Sequence, residues 1–260
     1  MKNWIIELWH FRELLWALTL KEIKIRYKQT ILGVAWAILQ PAALTIIFTV
    51  VFGIFLKVNS GVVPYPIFAY SALLPWTFFT TAVSFGALSV VNNGNLVTKV
   101  YFPREILPFS AVFAAFFDFL MASIIFLIML LYYKIDLTLN LFLLIIPVVS
   151  ILLFTAGISL LLSALNVLFR DIRFVVPLIL QIWLYATPVI YPLEQVPERY
   201  RFLMLFNPMT SLIESFRNFA LHKGSVSGGM IFLSIIVSVL TFILGYLFFK
   251  YRERVFADVI

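Results

Sequence analysis

Residues 31–56 read ILGVAWAILQPAALTIIFTVVFGIFL, 26 positions without one charged side chain. Roughly 20 consecutive apolar residues cross a bilayer core as a helix, so this run is long enough to span. It has companions. Residues 58–98, 137–169 and 224–249 are also free of charge, and shorter apolar stretches lie between them. The chain of 260 residues is 63% hydrophobic and only 12% charged, where a soluble domain carries about 25% charged residues. Lipid is therefore the main solvent, and the fold class is an all-α membrane protein. Six spans use up most of the chain and leave one transmembrane domain, 1–260, with no separate soluble unit.

The spans expected are 31–56, 67–91, 106–133, 139–168, 174–190 and 230–249. Pro41 and Pro75 lie inside the first two and predict kinks. The second ends at Asn92-Asn93-Gly94-Asn95, a strong break signal. Asn95 is placed to cap a short helix over 95–102. Pro103 then suits the first turn of the next helix, with Glu105 favourable at its N-terminus. In the fourth span Ala156, Gly157, Ser159, Ser163 and Ala164 are small enough for close helix packing.

Two segments are not spans. In residues 1–30, Trp4, Leu8, Phe11, Leu15 and Leu18 recur at helical steps, while Lys21, Lys24 and Lys28 line another face. A basic amphipathic helix of this kind lies in the membrane interface, as an anchor or as a platform for a partner. Residues 191–227 mix charge with apolar clusters, 202–206 and 209–220, separated by Asn207-Pro208. Neither cluster is long enough to cross. Re-entrant helices are tolerated where protein or a water-filled cavity covers the backbone.

Charge sets the orientation. With six spans both termini share a side with Lys2, Arg12, Lys21, Lys24, Arg26, Lys28, Lys99, Arg104, Arg170, Arg173, Lys250, Arg252 and Arg254. The opposite side holds only Lys57, Lys134, Arg199, Arg201, Arg217 and Lys223. The positive-inside rule puts both termini in the cytoplasm. The formal charge of +7 is read the same way, and no nucleic-acid partner is expected.

The chemistry is bounded mostly by exclusion. There is no cysteine and only His10 and His222, which excludes thiol catalysis and a Cys-based metal site and argues against a histidine-rich one. No G-x-x-x-x-G-K-[ST] loop is present, so no P-loop nucleotide site is expected in this chain. Asp118 is the clearest intramembrane ionisable residue. It reads either as a proton or ion site or as a structural carboxyl, with no evident ionisable partner in the membrane. Among the 28 Phe, 11 Tyr and 6 Trp, the residues Trp36, Tyr70, Trp76, Trp183, Tyr185 and Tyr191 are candidate liners of a sugar-passing channel. The compact basic turn Asn92–Arg104 is built to pass a push into two helices. Asn166–Phe174, with Arg170 and Asp171, adds a second contact.

Several motifs extend along nearly the whole chain: Arg26-Tyr27-Lys28-Gln29-Thr30, Leu32-Gly33, Trp36, Gln40-Pro41, Pro64-Tyr65-Pro66, Leu74-Pro75-Trp76, Lys99, Phe102-Pro103-Arg104, Ile106-Leu107-Pro108, Asp171-Ile172-Arg173, Thr187-Pro188 and Asn207-Pro208. In these the chain resembles the permease subunit of type-2 ABC exporters, in the polysaccharide branch that includes O-antigen (lipopolysaccharide) and teichoic acid exporters. The resemblance implies a bacterial inner-membrane homodimer that forms its channel between two copies and pairs with two ATP-binding ABC subunits. ATP and magnesium would be held by that partner, with no cofactor in this chain and no catalysis by it. It implies a coupling helix at 95–102, with Asn95, Leu96, Lys99, Phe102 and Arg104 at the ATPase contact, and outer gate helices within 197–222. The cargo implied is a lipid-linked glycan, with Arg26 and Lys28 near its entrance. An ion-coupled secondary transporter using Asp118, and a membrane enzyme acting on lipid-linked sugars, remain as alternatives.

Overall fold

The computed structural model describes residues 9–59, 61, 63–136, 140–222 and 228–259. Every regular element among them is helical. In chain order the α-helices are α1 (Arg12–Tyr27), α2 (Ala35–Phe48), α3 (Tyr65–Asn92), α4 (Gly94–Lys99), α5 (Ile106–Tyr132), α6 (Asn140–Leu143), α7 (Ile145–Leu168), α8 (Ile172–Tyr185), α9 (Glu198–Leu205), α10 (Pro208–Leu221), α11 (Gly228–Arg252) and α12 (Phe256–Val259); a π-helical stretch, Thr49–Phe55, continues α2, and 3-10 turns lie at Leu193–Gln195 and Glu253–Val255. Trp4 and Leu8 of the N-terminal stripe lie outside the described residues.

Five helices are long and apolar enough to cross a bilayer: Ala35–Phe55, Tyr65–Asn92, Ile106–Tyr132, Ile145–Leu168 and Gly228–Val255. The expected sixth, 174–190, is the 14-residue helix Ile172–Tyr185, about 21 Å long against a hydrocarbon core of roughly 30 Å. The chain still reaches the far end of the bundle, through a non-helical stretch that buries Thr187, Pro188, Val189 and Ile190. Its carbonyls are satisfied by side chains: Tyr65 Oη donates to Ile190 O at 2.7 Å, and Arg217 Nη2 donates to Pro188 O and Val189 O. That is how irregular backbone persists at membrane depth.

α3 is the axis of the fold. It begins directly after Pro64, with Pro66 in its first turn, where the fixed φ of proline suits a helix start. It packs against α5, α7, α8 and α10. Two clusters divide the core. One holds Leu18, Val97, Phe102, Val167, Phe249 and Phe256 and marks the basal end. The other runs along the rest of the bundle, through Phe79, Phe126, Phe154 and Phe216. The distal end is tied by Gln195 Nε2 to Asn59 O and His222 Nε2 to Asp136 O.

The small residues of α7 produce the expected close packing. A Cβ on Gly157 would stand 2.6 Å from Thr241 O, and one on Gly245 would meet the Gly157 carbonyl. α7 and α11 thus touch backbone to backbone. Ser159 lies equally close to Gly86 of α3.

α9 and α10 form a hairpin that enters from the distal end. Their turn, at Asn207, sits beside Trp183, which packs on Phe79 halfway along α3. Asn207 caps α10 by accepting from Met209 N at 3.1 Å and fastens α8 by donating to Ala186 O and Thr187 Oγ1. α10 then rises past Phe119 and Phe126 of α5 to His222. It is buried over most of its length.

At the basal end two expectations are corrected. Asn95 caps nothing: α4 starts at Gly94, with Asn93 in the capping position. The Asn93 side chain instead donates to Ser89 O and accepts from Lys21 Nζ at 2.9 Å. α4 ends at Lys99, short of Phe102, with the backbone already extended at Val100. Glu105 stands at the N-terminus of α5 as expected, in the capping position, and its side chain faces the C-terminal segment, where Lys250 Nζ donates to its Oε2 at 2.8 Å.

Candidate functional site: a polar cavity at a buried ion pair

The C-terminal turn of α1 brings Arg26 and Tyr27 to α5. Arg26 Nη1 donates to Asp118 Oδ2 at 2.6 Å, and Tyr27 Oη donates to Asp118 Oδ1 at 2.5 Å. The Arg26 guanidinium lies 4.1 Å from the centre of the Phe85 ring. The expectation that Asp118 lacks an ionisable partner is therefore wrong. Its partner comes from the basic run 24–28, which the positive-inside rule alone accounts for as surface charge. Burial, followed by the neighbouring carboxylate, pushes the Tyr27 hydroxyl well above its ordinary pKa, so it stays a donor.

This trio opens on a cavity of about 480 Å³ between α1, α2, α3 and α5. Trp36 and Gln40 of α2 form one wall. Thr77, Thr80, Thr81 and Ser84 of α3 form another, at helical spacing that stacks hydroxyls on one face. Thr77 and Thr80 donate to carbonyls of their own helix, which leaves oxygen lone pairs to accept from a guest. A charged group, an aromatic ring and a row of hydroxyls inside an apolar bundle can hold a polar or anionic guest that lipid would reject.

The other candidate positions scatter. Of the proposed entrance residues, Arg26 and Trp36 line the cavity, while Lys28 is exposed away from it. Tyr70 and Trp76 are buried at 1% and 4% exposure. Tyr70 donates to Ala122 O and stacks on Phe126; Tyr70 and Trp76 both belong to the core of this chain, with Tyr70 also at the edge of an apolar groove between α2, α3 and α5. Trp183 lines a second cavity of about 430 Å³ at the Asn207–Pro208 turn. Tyr185 stands exposed on the flank, and Tyr191 donates to its carbonyl.

Of the basal residues, Asn95, Lys99, Arg170 and Asp171 are exposed, Leu96 is half-buried and Phe102 is buried. Arg104 donates to the Glu253 carbonyl, so it fastens the C-terminal segment. Tyr27, Thr77, Thr80, Thr81 and Ser84 were not singled out from sequence for this site. The hydroxyl spacing on α3 was the available signal.

Residues 13–221 match the family model described as ABC-2 type transporter. The chain belongs to the ABC-2 type transporter family. It is 35% identical over 213 residues, 81% of each chain, to the O-antigen export system permease protein RfbA of Myxococcus xanthus. It is 29% identical over 250 residues, 95% of each chain, to a Klebsiella pneumoniae protein of the same name. It is 25% identical to the polysialic acid transport protein KpsM of Escherichia coli, over 92% of this chain and 93% of that one. This ABC-2 family member is a multi-pass membrane transport subunit, not an enzyme.

Proposed function

We propose that this chain is the membrane subunit of an ATP-driven exporter that moves a lipid-linked, O-antigen-like polysaccharide out of the cytoplasm across the bacterial inner membrane. The observation that carries the reading is similarity to O-antigen export permeases over 95% of both chains. Two copies form the channel, and two ATP-binding subunits, which hold ATP and magnesium, drive it. The basal end faces the cytoplasm, in line with the excess of Lys and Arg on that side.

The ATPase contact is α4 with the Arg170–Asp171 turn. α4 offers exposed Asn95 and Lys99, while Val97 and Phe102 root it in the basal core. Lys250 with Glu105 and Glu253, and Arg104 with Glu253, tie the end of α11 to the start of α5. A push on α4 is thus delivered to α3, α5 and α11 together. The α9–α10 hairpin is the outer gate. Asp118 serves as the counter-ion of Arg26 and not as a coupling-ion site.

Affinity purification of the chain from its own cell should bring down an ATPase subunit. Reconstituted with it, glycan export should require ATP and persist in Asp118→Asn. Purification without any ATPase, or export driven by an ion gradient alone, overturns the reading.

A further inference from the structure

The helical path of α11 does not stop where its apolar run does. Past Lys250 it continues through the 3-10 turn Glu253–Val255 into α12, which packs against both α4 and α7. Apart from α3, to which α4 is joined, α12 is the element that packs most closely on α4 among the described residues.

Phe256 makes this contact apolar and rigid. Its side chain is fully buried, in the basal cluster with Val97 of α4, Val167 of α7 and Phe102. Its ring meets the Phe249 ring edge-on, with centroids 5.3 Å apart. The chain beside it is fastened by charge. Lys250 Nζ donates to the buried Glu105 carboxylate at 2.8 Å and to Glu253 at 3.1 Å, and Arg104 donates to the Glu253 carbonyl. A close-packed contact of this kind has little compliance, so it passes displacement on.

The neighbours of this segment give it a use. α7 and α11 touch backbone to backbone at Gly157 and Gly245. By chain connection α4 pulls only on α3 and, through residues 100–105, on α5. The polar link from there to α11 is the Lys250–Glu105 pair with the Arg104 bond.

We infer that residues 253–259 are a transmission strap, with Phe256 as its positioning residue. The strap delivers a displacement of α4 to the joined pair α7 and α11, and export per ATP depends on it. Being fully buried, Phe256 acts through α4 and not by touching the ATPase. This rests on the reading of α4 as the ATPase contact of an exporter. It adds to that reading a coupling residue far in sequence from the 92–104 turn.

The test is the ratio of glycan exported to ATP hydrolysed by the chain reconstituted with its ATPase subunits in proteoliposomes. Phe256→Ala should lower that ratio about tenfold, within the ordinary range of coupling between sites. The ATPase subunits should still co-purify in normal amount, and hydrolysis should continue. Phe256→Leu is the milder change. It carries the test where Phe256→Ala does not fold, and should show a smaller loss in the same ratio. Leu130, fully buried at the distal end of α5, supplies the control. Leu130→Ala opens a cavity of comparable cost far from α4 and should lower the unfolding midpoint without changing the ratio.

An unchanged ratio in both Phe256 variants overturns the proposal. An equal fall in Leu130→Ala also overturns it, as general loosening, and loss of the ATPase from Phe256→Ala overturns it as a docking surface. If the unmutated chain binds no ATPase or exports without ATP, the exporter reading falls and the strap with it. With that chain active, only the strap is at stake.

Discussion

Two buried arginines, Arg26 and Arg217, show how far surroundings decide what one residue type does. Both sit inside the bundle, both pair with a carboxylate, and both lie over an aromatic ring. Arg217, 2% exposed, is enclosed on all sides. Glu214 pairs with it at 2.5 Å, the carbonyls of Pro188 and Val189 accept from it, and the Phe68 ring covers it at 3.8 Å. It fastens the re-entrant helix α10 to the irregular end of α8. Each keeps its Nε without an acceptor, but Arg26 has the same chemistry at the wall of a large cavity. The first arrangement is a rivet, and the second is a site.

The largest effect expected is at the rivet. Arg217→Met leaves Glu214 without its cation and two buried carbonyls short of a donor. Removing one partner of a buried pair costs about 3–5 kcal/mol, enough to lose most folded protein. Size-exclusion of the detergent-solubilised variant should show aggregation or a much lower unfolding midpoint. A monodisperse variant of normal midpoint would remove the distinction between the two arginines.

The same operation at Arg26 should be milder and reversible. Arg26→Gln alone should cost about 1–3 kcal/mol, since Asp118 keeps Tyr27 and opens onto the cavity. Adding Asp118→Asn should restore most of it, because the pair is then neutral. Thermal unfolding of the four members of this cycle gives the coupling directly. Additive losses would mean that the two side chains do not act as a pair.

The basal turn sharpens the contrast from outside. Lys99 is exposed, so Lys99→Glu should leave the fold unchanged. Facing a partner suited to a cation, it should lower ATP-driven export about tenfold while basal ATP hydrolysis persists. Arg104→Glu should show the same defect together with lower stability, since Arg104 binds the Glu253 carbonyl. Equal stability in both variants would count against that bond.

How much of this was legible follows from range. Span positions were readable because an apolar run of bilayer length is a local property, and the hairpin was readable because its two clusters are too short to cross. Boundaries moved by a few residues wherever proline or asparagine offered two starts, as at Asn93 and Asn95. The ion pair was not readable. Arg26 and Asp118 are 92 positions apart, and an arginine in a basic run looks like a surface residue. Arg217, close in sequence to Lys223, was counted with the charges of the outer side for the same reason. Only the α10 periodicity, with Leu212, Ile213, Phe216 and Ala220 on one face, hinted that its neighbours were buried. The row Thr77, Thr80, Thr81 and Ser84 was in plain view as a pattern. Its meaning depended on α1 and α2 leaving space opposite.

The smallest effect expected concerns Tyr27, the hydroxyl that separates the Arg26 site from the Arg217 rivet. Burial and the Asp118 carboxylate raise its pKa above the ordinary value of 10.0. A raised pKa on folding stabilises the protein fully below the unfolded pKa, and that contribution fades as pH rises past it toward the folded value. Tyr27→Phe should therefore cost about 1.5 kcal/mol near neutral pH, the low end for one hydrogen bond to a charged group. The difference between wild type and variant should be flat up to about pH 10 and shrink above it. Thermal unfolding of both proteins across alkaline pH measures this, and the other tyrosines cancel in the difference. A gap that widens with pH, or none at neutral pH, would mean that Tyr27 does not hold Asp118, and that Asp118 depends on Arg26 alone.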